Sequence, residues 1–252
     1  MSTLTVKIDD KDLKFTTYSF GDILAGFSLG KNVNYHPLSD INLQLTSKVL
    51  NKLDLSGSFL KIKTEHKDKI LINSDSEEAD AIISTSGKPI ILSPADCIGL
   101  ILIDTKSNSY GLCHVGRAGV GYNIVEKFIN KFLEIIDSTT YENNQFQFII
   151  SPNIDHENYP HNDDAFIYTD SKPNWWFNNQ ELLNKKDGTF FPNLEGAVIK
   201  QIKESKLKDD SYEIISSGLS TFKEDMHSNA RDTHESIKEK RRNLVFVGHL
   251  DR

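Results

Sequence analysis

Cys97 and Cys113 are the only cysteines in the chain, which excludes a scaffold stapled by disulfides. No stretch approaches the roughly 18 uninterrupted apolar residues that a membrane-spanning helix needs. The N-terminus, MSTLTVKIDDKDLKF, lacks a basic segment followed by an apolar one. No secretory signal is therefore visible, and a cytoplasmic protein without membrane contact is expected. Positive charge is also scarce: 29 Lys and Arg against 36 Asp and Glu leave a formal net charge of -7. The densest basic runs, Lys185-Lys186 and Lys238 to Arg242, are short, and Glu239 interrupts the second. They read as solvated helix faces, so no nucleic-acid partner is expected. No internal repeat, low-complexity linker or break in composition divides the chain.

What is present is ordinary globular material. With 252 residues and 38% hydrophobic content, the chain can bury a substantial core, and a single domain over residues 1–252 is expected. Val6, Ile8, Leu13 and Phe15 flank a polar Asp9 to Asp12 and predict an N-terminal hairpin. Ser39-Asp40 precedes Ile41, Leu43, Leu45, Val49, Leu50 and Leu53, the spacing of a capped amphipathic helix. Phe59 to Lys63 and Ile70 to Ile72 read as short strands with His66 in the turn between them.

The middle third carries the strongest pattern. Ala81 to Ser84, Pro89 to Leu92, Ile98 to Ile103 and Tyr110 to Val115 are apolar runs, with turn chemistry at Ser86-Gly87 and Asp104 to Ser109. The following AGVGYNIVEKFINKFLEIID predicts one long helix whose stripe, Val120, Ile124, Phe128, Phe132 and Ile135, is core. Gln145 to Ile150, Tyr212 to Ile215 and Leu244 to Val247 read as strands, and Leu194 to Ile202 as a helix. The turn-rich Ser151 to Asn193 either covers a pocket or packs on its own aromatics, Trp175-Trp176-Phe177; exposed, those three would make an anchor for a partner.

Chemistry concentrates at two places. Cys97 lies at a strand break beside Asp96, and a carboxylate in so apolar a run is expensive unless it is paired, caps backbone donors or faces a cavity. Strand alternation puts Tyr110, Leu112 and His114 on one face and Gly111, Cys113 and Val115 on the other. His114 thus ends a strand just before a helix, where ligand sites gather. The spacing from Cys97 to His114 matches no zinc-finger signature, and none of the eight histidines forms an HExxH pair. Two uses stay open on these residues: metal ligands completed from elsewhere, or a nucleophile and its base.

Taken together, Ala79-Asp80-Ala81-Ile82-Ile83-Ser84-Thr85, Pro94-Ala95-Asp96-Cys97 and His114-Val115-Gly116-Arg117-Ala118-Gly119 match one family in order and spacing. The block resembles the laccase-domain family, also called the multicopper polyphenol oxidase or purine nucleoside phosphorylase-like family. Weaker matches are Ala25-Gly26-Phe27-Ser28, Glu65-His66, Ser151-Pro152-Asn153-Ile154 and His227-Ser228-Asn229-Ala230-Arg231-Asp232, with Arg242 standing for a late family arginine.

The resemblance implies an α+β fold, a layered sandwich of mixed β-sheets flanked by helices. It implies that His66, Cys97 and His114 bind one zinc ion (copper fits less well), with Asp96 and Cys97 catalytic. Ser28, Arg117, Ser228, Arg231 and Arg242 are the implied substrate-binding positions. The implied partner is a small-molecule substrate, a purine nucleoside, and the implied activities are phosphorolysis or adenosine deamination. Copper-dependent phenol oxidation is a further implied activity, although the chain has no His-x-His pairs. A catalytically silent binding protein is the alternative. The departures fall on cations: Gly30 and Ala230 replace family arginines, and Arg117-Ala118 displaces a third by one residue.

Overall fold

A computed structural model describes residues 1–36, 40–55, 57–136, 143, 145–162 and 175–251. The chain opens with strands β1 (Ser2–Ile8), β2 (Lys11–Phe20) and β3 (Ile23–Leu29), followed by helix α1 (Asp40–Lys52). Short strands β4 (Leu60–Lys61), β5 (Ile70–Ile72), β6 (Ala81–Ser84) and β7 (Ile90–Leu92) lead to the long pair β8 (Ile98–Asp104) and β9 (Ser109–Val115). Helices α2 (Arg117–Gly121) and α3 (Ile124–Ile135) precede β10 (Phe146–Ile150) and the single-turn α4 (Trp175–Asn178). The remainder is the hairpin β11 (Leu183–Lys186) and β12 (Thr189–Pro192), helix α5 (Leu194–Lys203), β13 (Tyr212–Ser216), α6 (Asn229–His234) and β14 (Val245–His249).

Two six-stranded mixed sheets result, ordered β1-β2-β3-β14-β7-β4 and β13-β10-β8-β9-β6-β5. They stack face to face, and alternate side chains decide which layer each residue joins. Ile101 and Ile103 of β8, with Tyr110 and Leu112 of β9, point between the sheets against Ile90, Val245 and Val247. Leu100 and Leu102, with Cys113 and Val115, point the other way onto α3 and α5. The outer face of the first sheet is covered by α1 through Val49 and Leu50. The layers are thus helix, sheet, sheet, helices. All residues of β8 and β9 are buried, which is why they read as unbroken apolar runs rather than alternating ones.

Several expectations change in detail. The predicted long helix is two helices. Gly119 and Gly121 weaken its first turns, and Asn123 adopts a left-handed conformation at φ 58° that restarts the helix at Ile124. Its stripe is nonetheless core: Val120, Ile124, Phe128 and Phe132 are fully buried. Gly111 makes this packing possible, since a Cβ there would lie 2.6 Å from Phe128 Cζ.

Elsewhere, strand β4 is shorter than the predicted Phe59 to Lys63, and β3 went unread inside the Gly-Phe-Ser motif. Ile41, assigned to the apolar stripe of α1, is 76% exposed, and the capping role of Ser39 lies outside the described residues. Trp175 and Trp176 are buried in the helix-side core while Phe177 is exposed, so the tryptophans are packing and not a surface anchor.

Candidate metal centre

The site forms where three neighbouring strands of the second sheet end. Strand register pairs Ile98 with Val115 and Gly99 with His114, which sets Cys97 beside the end of β9. On the other side Ala81 pairs with Cys113, so Asp80 lies beside His114, and its carbonyl accepts the His114 N–H at 2.6 Å. His66 arrives on the connection from β4 to β5. One donor atom from each of His66, Cys97 and His114 falls within 4.8 Å of the others. The two imidazoles meet edge to face with ring centroids 4.8 Å apart. Gly116 keeps the sulfur uncovered, because a Cβ there would sit 3.0 Å from Cys97 Sγ.

Asp80 had no assigned role in the sequence, although it stands in the Ala-Asp-Ala motif. It is 1% exposed and its Oδ1 lies 2.8 Å from His114 Nδ1. The same oxygen accepts the His66 N–H at 3.0 Å, and Oδ2 accepts the Lys67 N–H at 2.7 Å. Burial opposes its ionisation, but the hydrogen bond and charge of His114 and the two amides outweigh burial and hold the carboxyl below its ordinary range. An ionised Asp80 requires His114 Nδ1 to donate, which leaves Nε2 as the ligand nitrogen. The signal for Asp80 was available: like Asp96, it is a carboxylate in an apolar stretch and is expensive there unless paired.

Electrostatics within the cluster give a pH signature. Burial disfavours a charged His114, but negative charge at Cys97 and the bond to Asp80 prevail and push its pKa up to about 9. A histidine raised from about 6.5 contributes stability that is complete below that unfolded value and is lost as pH rises through the folded one. A metal ion needs the deprotonated ring. The metal-free protein should therefore lose stability between about pH 6.5 and about pH 9, while affinity for a metal ion rises over that window. Urea titrations of metal-free protein, run beside chelator competition across the range, check both slopes. Stability and affinity rising together would contradict this assignment.

A cavity of about 330 Å³ opens over the cluster and is lined also by Tyr159, Arg117, Asn229 and Arg242. Arg117 begins α2, and Trp176 Nε1 donates to its carbonyl at 2.9 Å, so the buried tryptophan braces this wall. Tyr159 brings the start of the turn-rich segment to the cavity. Tyr159 carried no sequence signal of its own and Asn229 only its place in the His227 to Asp232 motif, since each reaches the site from a distant loop or helix end. Arg242 is partly desolvated, which lowers its pKa against the opposing pull of Cys97, Asp96 and Asp232.

The other expected substrate residues lie elsewhere. Ser28 is buried in the first sheet, where its hydroxyl accepts the Leu244 N–H at 2.9 Å. Arg231 spends its guanidinium on the carbonyls of Thr221, Phe222, Glu224 and Met226, clamping that loop. Ser228 caps α6.

Asp96 lines the cavity wall, but its carboxylate turns to the same cap. Oδ1 accepts from the Thr221 hydroxyl and Oδ2 from the Ala230 N–H, each at 2.8 Å. Ser228 and the Asn229 N–H complete the set. Burial still raises its pKa against all of these bonds.

A family model described as multi-copper polyphenol oxidoreductase laccase matches residues 38–239. Among solved structures, the chain is similar to the hypothetical protein YfiH of Bacillus licheniformis, at 17% identity and a TM-score of 0.73, over 91% of this chain and 94% of that one. It is similar to YlmD of Geobacillus stearothermophilus at 15% identity and a TM-score of 0.73, over 92% and 93%. For the Neisseria meningitidis protein NMB0706 the values are 13%, 0.71, 94% and 99%. No curated protein matches. At these identities the structures establish the layered α+β fold. No helix among the described residues is long and apolar enough to cross a membrane.

Proposed function

The chain belongs to the multi-copper polyphenol oxidoreductase laccase family, and from that premise we propose that it is a zinc-dependent enzyme acting on a purine nucleoside, by phosphorolysis or adenosine deamination. The observation that carries the proposal is the His66, Cys97 and His114 cluster at the base of a cavity. A volume of about 330 Å³ lies within the range of small-molecule sites. One thiolate and two imidazoles form a donor set suited to zinc, and three protein ligands leave a fourth position open. When bound, zinc supplies Lewis acidity at that position.

The chain's own residues do the rest. Arg117 and Arg242 place positive charge on the cavity wall, and an arginine fork matches a phosphate. Tyr159 offers an aromatic face to a base. Asp96, tied to Thr221, Ser228, Asn229 and Ala230, holds Asn229 against the cavity, a positioning task better supported than proton transfer.

Zinc-loaded protein incubated with adenosine and with inosine, each with and without phosphate, tests the proposal by chromatography. Free base formed only with phosphate indicates phosphorolysis, and inosine formed from adenosine indicates deamination. No turnover in any of the four mixtures would sink the nucleoside-processing reading. Phenol oxidation has the family description in its favour, and a Cys and two His also accept copper. Oxygen uptake by copper-loaded protein on a simple catechol would support it over the zinc reading.

A further inference from the structure

We propose that Asp80 is a positioning residue that sets both histidines of the cluster before any metal arrives. The inference rests on the proposed metal centre but not on which reaction that centre performs. His66 has φ 61°, a left-handed conformation that side-chain-bearing residues rarely adopt. Such a backbone persists only where its surroundings over-determine it. Here the surroundings are one carboxylate: the consecutive N–H groups of His66 and Lys67 close on the two oxygens of Asp80 at 3.0 and 2.7 Å. Two successive amides aimed at one anion form the nest that left-handed turns provide.

The same residue also fixes the other imidazole. Oδ1 engages His114 Nδ1 at 2.8 Å, and the Asp80 carbonyl accepts the His114 N–H at 2.6 Å. Ring orientation, tautomer and backbone position of His114 are thereby set from one neighbour. Asp80 is itself immobilised, because it is 1% exposed and its own N–H donates to the Lys69 carbonyl at 3.0 Å. A carboxylate spent on these donors orients the ligands rather than joining them. The imidazole carried by the exposed connection is thus held 4.8 Å from the ring at the strand end by a buried group that touches both residues.

Two measurements test this. Hydrogen exchange on metal-free wild-type protein should show slow His66 and Lys67 amides. In Asp80→Asn at least one of those two amides should exchange fast, with β8 and β9 still protected. The amide side chain of Asn cannot accept from Lys67 while also accepting from His66 and His114. Chelator competition should show zinc binding weakened about 10- to 100-fold in that variant, the cost typical of losing a partner behind a metal ligand.

Wild-type affinity in Asp80→Asn would overturn the proposal, as would His66 and Lys67 amides that become protected only after zinc is added. If the variant does not fold, exchange on the metal-free wild type decides alone. A wild type that takes up no zinc would defeat the metal-centre reading, whereas unprotected amides in a zinc-binding wild type would defeat this one.

Discussion

Replacing Cys97 with alanine should weaken zinc binding by more than about 100-fold while leaving the fold intact. Partners behind a ligand cost about 10- to 100-fold when lost, and Cys97 is itself a donor, the only sulfur in its cluster. It also balances the charge of a cation in a setting where His66 and His114 are neutral when bound. The stability cost should be small, because Cys97 is partly exposed and belongs to none of the hydrophobic clusters. Cys113 supplies the contrast: it is fully buried against the helix layer and contributes no donor atom to the cluster. Cys113→Ala should therefore lower the urea midpoint and leave metal content unchanged. Inductively coupled plasma mass spectrometry with circular dichroism on both variants separates the two effects. Stoichiometric metal retained by Cys97→Ala would remove the centre from consideration.

The second large effect is expected at Asp96. Truncation to alanine removes the acceptor of the Thr221 and Ser228 hydroxyls and of the Asn229 and Ala230 amides. Buried donors left without a partner cost about 1–3 kcal/mol each before relaxation. Part of that loss is offset, because burial disfavours the charged carboxylate and raises its pKa. A net loss of about 2–4 kcal/mol is expected, a large share of the stability of an ordinary domain. Urea unfolding of Asp96→Ala measures it. Near-native stability combined with abolished turnover would instead assign Asp96 to proton transfer.

What could be read in advance follows from where the information lies. Strands β6, β8 and β9 of the second sheet were legible because burial on both faces leaves continuous apolar runs, and α3 because its stripe repeats at helical spacing. The break at Asn123 was not legible: a left-handed asparagine is permitted by the sequence but not demanded by it. Cys97 and His114 could be singled out from their motifs, and the register of β8 on β9 brings them together. The partners of Asp96 could not be read, because Thr221 and Ala230 are far away in the chain and no local pattern links them. Arg231 looked like a substrate cation because residue type alone does not reveal that its two Nη groups are turned to four carbonyls. The cavity-lining roles of Tyr159 and Asn229 were hidden for the same reason: they are decided by long-range packing.

Two of the segments that meet at the cluster share a topological property. The connection carrying His66 leaves β4 in one sheet and enters β5 in the other, and the connection carrying Cys97 likewise passes from β7 to β8. His114 stands at the end of a strand that already belongs to the second sheet. An ion held by all three would act as a removable cross-link, fastening both crossings to that strand and closing loops of chain across the sandwich seam. The protein would then have a mechanical reason to keep its metal apart from any chemistry. Withdrawing the ion would loosen the line along which the two halves of the domain are joined.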